Sequence, residues 1–168
     1  MPLVALPLLA LLAGDQAVAF SVSVPKAVFR LAELQVEFLF TDIFSLALQG
    51  GIGEPAFDRV GAKTISSMMW ETGLQTRFYF TGTSSDGGTF FAPASQYMRT
   101  IDSGIGLTVQ ALGVGGIFGY KLAWEGGAFL DFSGGAGWGY YRADGAEGQG
   151  GVGSSVYPFL NVNFGWAI

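Results

Sequence analysis

The sequence contains no cysteine and no histidine among its 168 residues. The first absence excludes disulfide bonds and thiolate metal sites. The second removes the commonest general base, and a serine beside a carboxylate is weak evidence for catalysis without one. Charge is scarce as well, with 8 Lys and Arg against 13 Asp and Glu. Because no basic stripe accompanies the net charge of −5, nucleic-acid binding has no electrostatic support.

Long apolar runs are also missing, although half of the residues are hydrophobic. No stretch reaches the ~18 residues that a helix needs to cross a bilayer. Glycine and aromatic residues are abundant instead, with 27 Gly, 15 Phe, 6 Tyr and 4 Trp. Their even spread, together with low charge, is typical of strands that face lipid on one side. The length corresponds to one domain.

The amino-terminal segment has the pattern of an export signal. An apolar run extends from Leu3 to Ala13, a polar step follows, and small residues lie at Ala17 and Ala19. This pattern predicts a signal peptide over residues 1–19 that is cleaved after Ala19, which leaves 20–168 as a single β-barrel domain. The basic residue that usually begins such a segment is missing, since the first positive charge is Lys26. A short buried helix is the alternative.

Polar and apolar residues alternate along most of the remaining chain, and this period of two predicts strands. In ELQVEFLF, residues 33–40, each acid or amide is followed by an apolar side chain. Eight strands are predicted, at 20–28, 30–41, 44–53, 65–80, 88–98, 105–122, 127–141 and 155–168. A bulge or chain break is expected near Pro25 and near Pro93. The predicted fold is all-β, an eight-stranded antiparallel up-and-down transmembrane β-barrel.

The polar face of the predicted strands suits the crowded interior of an eight-stranded barrel, because it is rich in glycine and small side chains. Six charged residues fall on it: Glu33, Glu37, Glu71, Arg77, Lys121 and Asp131. Charges in a narrow interior must pair. We expect a network centred on Glu37, Glu71 and Arg77, with Lys121 and Asp131 as a second pair. Its expected role is to plug the lumen, and the alternative is a gate through which ions leak.

The opposite face carries aromatic residues near the strand ends, as an interfacial girdle would. The girdle is predicted from Phe38, Phe40, Phe78, Phe80, Phe118, Tyr120, Trp70, Trp138 and Tyr140. Short and long connections alternate, which predicts periplasmic turns and external loops. The stretches GEPAFDRVGAK and YRADGAEGQGGVGSS are the expected binding loops. Arg99 and Lys63 are candidates for contacting lipopolysaccharide phosphates.

The last strand places apolar side chains at every second position: Leu160, Val162, Phe164, Trp166 and Ile168. This strand resembles the membrane-insertion signal of bacterial outer-membrane proteins, with Ile168 where phenylalanine is commonest. Together with QVEFLFTDIFSLALQGGIG, GLQTRFYF and GIFGYKLAW, it makes the chain similar to small outer-membrane barrels related to the OmpA-type transmembrane domain. The resemblance implies a bacterial outer-membrane location, contact with the lipid bilayer, and insertion by the barrel-assembly machinery.

These observations predict a non-enzymatic outer-membrane barrel with a structural or surface-interaction role. No catalytic residue, cofactor or metal is expected: Ser84, Ser85 and Asp86 are typical of a turn, and GVGGIFG lacks the spacing of a dinucleotide loop. Glu33 and Glu37 are expected to be structural lumen acids rather than a catalytic pair. The competing class is a soluble secreted barrel that binds an apolar ligand in its interior, and a narrow pore is the third alternative.

Overall fold

The computed structural model describes residues 18–28, 30–54, 67–104, 106–145 and 150–168. They form an all-β chain with one short helix. The elements are β1 (Val18–Ser23), α1 (Val24–Val28), β2 (Leu31–Thr41), β3 (Phe44–Gly53), β4 (Ser67–Tyr79), β5 (Gly87–Asp102), β6 (Leu107–Ala123), β7 (Ala128–Asp144) and β8 (Gly151–Ala167). Among the described residues, no helix has the length and apolar character that a membrane crossing requires.

The eight strands form one antiparallel up-and-down sheet in which each strand pairs with its sequence neighbours. The sheet closes into a barrel because β1 also pairs with β8, from Ala19↔Ala167 to Ser23↔Asn163. The connections at residues 42–43, 80–86 and 124–127 lie at one end, here called the turn end. The opposite end, where α1 and the β3–β4, β5–β6 and β7–β8 connections lie, is called the loop end.

Alternation in the sequence becomes a sharp difference between the two faces of the sheet. Along β2 the side chains of Glu33, Gln35 and Glu37 are buried in the lumen, whereas Leu34 is 51% exposed on the outside. The same inversion recurs on β8, where Asn163 is fully buried and Phe164 is half exposed. Charged and amide side chains therefore fill the interior, and large apolar side chains cover the exterior.

Pro25 and Pro93, the two prolines near which a bulge or break was expected, differ in their local structure. The expected break near Pro25 is present, and the prediction that the first strand runs to residue 28 is wrong, because β1 ends at Ser23 and Pro25 lies in α1. Proline fits the first turn of a helix, where its missing N–H is not needed. At Pro93 no bulge forms. β5 continues, Pro93 pairs with Gly116 of β6, and the register with β4 is the same on both sides of the proline.

The predicted outer loops also change extent. Most of YRADGAEGQGGVGSS belongs to strands, because β7 continues to Asp144 and β8 begins at Gly151. Extended pairing satisfies the backbone of these residues, which a surface loop would leave to water. Residues 55–66, including Lys63, and residues 1–17 of the predicted signal peptide lie outside the described residues. Val18 and Ala19 are the first residues of β1.

Candidate functional site

A group of charged side chains occupies the lumen near the turn end, with Glu37 at its centre. Glu37 Oε2 lies 2.7 Å from Lys121 Nζ and 3.3 Å from Arg77 Nη1. Its other oxygen accepts hydrogen bonds from the hydroxyls of Tyr79, at 2.9 Å, and Ser45. All of these side chains are buried. One carboxylate on β2 thus joins β3, β4 and β6 across the lumen.

Asp131 supplies the second carboxylate of this group. Its Oδ2 lies 2.7 Å from Arg77 Nη1, and both side chains are fully buried. Two carboxylates, Glu37 and Asp131, therefore face two cations, Arg77 and Lys121, so the formal charges balance. We refer to Glu37, Tyr79, Arg77, Lys121 and Asp131 as the inner cluster. Such pairing is required because an isolated buried ion is too costly to keep.

Aromatic rings complete the packing around the cations of the inner cluster. Arg77 Cζ lies 4.6 Å from the centre of the Phe90 ring, and Lys121 Nζ lies 4.8 Å from the centre of the Phe129 ring. Phe90 and Phe129 are themselves buried in the lumen. The cations are thus held by ring faces as well as by carboxylates. Large side chains consequently fill the lumen at this depth.

A second charged group lies closer to the loop end. The ammonium of Lys26, on α1, contacts Glu33 of β2 and Glu71 of β4. Gln96 donates a hydrogen bond from its amide nitrogen to Glu71. We call Lys26, Glu33, Glu71 and Gln96 the outer cluster. Because it contains two carboxylates and one ammonium, its formal charge is negative, unlike that of the inner cluster.

The structure brings together four of the six predicted lumen charges and places the other two elsewhere. Glu71 joins Lys26 and Glu33 rather than Arg77. Lys121 binds Glu37 rather than Asp131, although Lys121 and Asp131 are opposite each other in the register of β6 and β7. Long side chains reach across a narrow lumen, so register neighbours need not be ionic partners. Glu33 and Glu37 lie in different clusters, not in one carboxylate pair.

Three members of the two clusters, Lys26, Tyr79 and Gln96, were missing from the predicted network. Lys26 was missed because its segment was assigned to a strand. Its helical turn instead brings the side chain to Glu33 and Glu71. Tyr79 was not assigned a role, although it alternates in phase with Gln75 and Arg77 and therefore had to share their face. The period of two was sufficient to find Tyr79, whereas nothing in the pattern indicated a helix at Lys26.

Glycines on the lumen face of β6 and β7 make room for two rings of β8. A Cβ atom at Gly113 would lie 1.7 Å from Tyr157 Oη, and one at Gly137 would lie 2.7 Å from Phe159 Cε2. The Tyr157 and Phe159 rings also contact each other, with centroids 4.9 Å apart. The glycine-rich face that the sequence shows is therefore filled by aromatic rings rather than left open.

Gly119 offers a direct test of this packing. We expect Gly119→Ala to lower the free energy of unfolding by about 1–3 kcal/mol, because overpacking forces side chains to shift. The new Cβ would lie 2.3 Å from Cζ of the fully buried Phe90. Urea unfolding in detergent measures the change. The control is Gly151→Ala, where a Cβ meets nothing within 4 Å, and it should stay within about 0.5 kcal/mol. Equal effects at the two positions would contradict this account.

The predicted girdle residues lie on the outer face of the sheet. At the turn end, Phe40, Phe44 and Phe78 form a continuous row with ring centroids 5.5 Å apart. Phe91 and Phe118 form a further pair there, at 4.9 Å. Toward the loop end Trp70 packs against Tyr97, at 5.1 Å. Outward side chains that are 45% exposed or more include Phe78, Phe80, Phe118, Tyr120, Trp138, Tyr140, Leu160, Phe164, Trp166 and Ile168.

The remaining predicted features occupy simple positions. Ser84 to Asp86 form a turn, in which Thr83 Oγ1 accepts a hydrogen bond from the Asp86 N–H. Arg99 is half-buried and opposite Trp70 in the register. Within the described residues, no three acidic side chains gather into a group that could hold a metal ion.

No protein-family model matches this chain, and no curated protein sequence does either.

Proposed function

We propose that this protein is a transmembrane barrel of a bacterial outer membrane with a structural or surface-interaction role and no catalytic activity. The observation that carries the proposal is the inversion of its two faces. Arg77, Lys121 and Asp131 are buried inside, whereas Phe118 and Leu160 are 62% and 74% exposed outside. Soluble proteins rarely expose so continuous an apolar surface. Lipid as the surrounding solvent favours an exposed apolar surface, and a closed sheet leaves few backbone groups unpaired in lipid.

The competing class, a soluble barrel with an apolar ligand inside, is less well supported. Such a barrel needs an apolar interior and a polar exterior. Here the lumen holds Glu37, Arg77 and Gln75, and the outside of β3 carries Leu48 and Ile52 at 45% and 54% exposure. The resemblance of the last strand to a membrane-insertion signal also supports a membrane-spanning barrel over a soluble one. Its outward residues include Phe164 and Trp166.

The inner cluster supports a plugged lumen rather than a pore. Its four charges neutralise one another, and the buried rings of Phe90 and Phe129 lie against its cations. Eight strands leave an interior just wide enough for side chains to fill. Binding would then take place at the loop end, by contacts of the external connections with partners or with lipopolysaccharide, while the barrel serves as their rigid support.

Extraction and electrophoresis test this proposal. We expect the expressed protein to remain with membranes until detergent is added. We also expect the detergent-folded protein to migrate differently with and without boiling, because a closed sheet resists unfolding by detergent. Trypsin should cleave the folded form only in connections at the barrel ends. A chain that is soluble without detergent, with the same mobility before and after boiling, would overturn the proposal and favour an apolar ligand site.

A further inference from the structure

The barrel wall is incomplete in the half nearer the loop end. β1 pairs with β8 only as far as Ser23↔Asn163, and with β2 only as far as Val22↔Leu34. Within the described residues, residues 151–162 of β8 consequently have β7 as their only strand neighbour. An unpaired strand edge in lipid is costly, because its backbone groups have no water to bind. This edge of β8 is therefore the weakest line in the wall.

The short helix α1 covers this gap. It packs against β2 on one side and β8 on the other. Lys26 ties it to the lumen through Glu33 and Glu71. At its start, Ser23 donates a hydrogen bond to Asn161 Oδ1 at 2.9 Å. α1 is not part of the sheet, so it can leave the edge of β8 without breaking a strand ladder. The side chains of Lys26 and Ser23 tie this cover to β2, β4 and β8.

A small cavity leads inward from the gap. Its volume is about 110 Å³, and its lining combines Pro158 and Leu160 of β8 with the lumen residues Lys26, Gln75 and Gln96. Lys26 of α1 and Asn161 of β8 line it together, so this cavity lies directly beside the gap. It is the space inside the wall that a molecule entering beside α1 would reach first, and Pro158, which has no N–H to leave unpaired, suits such an edge.

A larger cavity lies beyond it, toward the loop end. It has a volume of about 420 Å³ and is lined by Met98, Val109, Ala111 and Tyr141. Gln96 and Tyr157 line both cavities, so the two cavities are adjacent. Small-molecule sites in proteins occupy about 300–1,000 Å³ and are mostly apolar with a few polar groups. The larger cavity, here called the outer cavity, meets both criteria.

We propose that the gap between α1 and β8 is a lateral portal through which a single hydrocarbon chain with an uncharged polar end passes from the bilayer into the outer cavity. The hydrocarbon fits the lining of Met98, Val109 and Ala111. The polar end stays with the amide of Gln96, which lines both cavities and, as an amide, both donates and accepts hydrogen bonds. An anionic end is disfavoured because the outer cluster holds two carboxylates for one ammonium. The inference rests on the proposed function, since the portal faces lipid only in a membrane-spanning chain.

Photolabelling in vesicles tests the portal. The probe is a long-chain alcohol that carries a diazirine in mid-chain, and adducts are mapped by mass spectrometry. We expect adducts on the lumen residues Met98 and Tyr157 as well as on the outward residues Leu48 and Val114, which are 45% and 55% exposed and face the bilayer in any membrane-spanning arrangement. Adducts confined to the outward residues would overturn the portal alone. Missing adducts on both faces would overturn the proposed function, so the two failures are distinguishable.

Matched variants make the result specific to the cavity and its cover. Ala111→Phe fills the outer cavity and should reduce the lumen adducts severalfold, whereas Val114→Phe, on the outer face of the same strand, should leave them unchanged. Lys26→Gln releases α1 and should raise the rate of lumen labelling, whereas Arg142→Gln, which removes a cation from an exposed pair, should not. Mobility before boiling verifies that each variant is folded.

The same experiment tests the preference for an uncharged end. An alkyl sulfate with the same chain and diazirine keeps its negative charge at every accessible pH. We expect it to label Leu48 and Val114 as the alcohol does, but to label Met98 and Tyr157 severalfold less. Equal lumen labelling by the two probes would overturn the assigned ligand class. No change between wild type and Lys26→Gln would overturn α1 as the cover.

Discussion

Replacing Glu37 with glutamine should lower the free energy of unfolding by about 3–5 kcal/mol, the usual effect of breaking a buried ion pair. Glu37 is the carboxylate that Lys121 contacts, and it shares Arg77 with Asp131. After the change, Lys121 is left as a buried ammonium without its counter-ion. Urea unfolding of vesicle-bound protein, followed by tryptophan fluorescence, measures the loss as a shift in midpoint at constant slope.

Two further variants separate ion pairing from general damage. Asp144→Asn breaks the exposed Arg142–Asp144 pair, whose side chains are 64% and 46% accessible, and should change stability by about 0–1 kcal/mol. The double variant Glu37→Gln, Lys121→Met removes a charge of each sign and should recover much of the stability lost in the single variant, because no unpaired ion remains. A double variant that is less stable than Glu37→Gln would refute the assignment of Glu37 and Lys121 as partners.

Replacing Leu48 with arginine should lower the stability of the vesicle-embedded protein by about 2–4 kcal/mol, the effect of a cation on the lipid face near the bilayer midplane. Leu48 points outward and is 45% exposed, and its register partners Val36 and Leu74 place it in the middle of β3 and its neighbours. In a soluble barrel the same change would add a charge to a water-exposed surface and stay within about 0.5 kcal/mol. The variant therefore distinguishes the two classes by magnitude.

Val152→Arg provides the matched position for this test. Val152 is 66% exposed and is the second residue of β8, at the loop end. There an arginine reaches the interface, and the expected loss is only about 0–1 kcal/mol. Equal losses at Leu48 and Val152, or no loss at either, would mean that the apolar face of the sheet does not lie in a bilayer.

Strand positions were predicted best where strict alternation is bounded by a short turn. The predicted strands 30–41 and 44–53 correspond to Leu31–Thr41 and Phe44–Gly53. The least accurate boundaries were those of β1, β5, β7 and β8, since β5 runs to Asp102 rather than to residue 98. Pro25 lies in a helix that periodicity did not indicate. Residues 142–144 and 151–155, from a stretch with the composition of a loop, lie in β7 and β8. Composition reports local preference, and pairing overrides it.

The sequence by itself determined which side chains share a face, because successive residues of a strand point to opposite sides whatever the neighbouring strands are. That rule was enough to place Glu33, Glu37, Glu71, Arg77, Lys121 and Asp131 in the lumen. It could not decide which of them meet. Lys121 reaches Glu37 across the lumen, and Arg77 reaches Asp131. Long side chains in the closed barrel pair with whichever opposite charge lies nearest at the same position along the barrel axis. The gap beside α1 is likewise decided only by tertiary structure, since it arises where β1 ends while β8 and β2 continue toward the loop end.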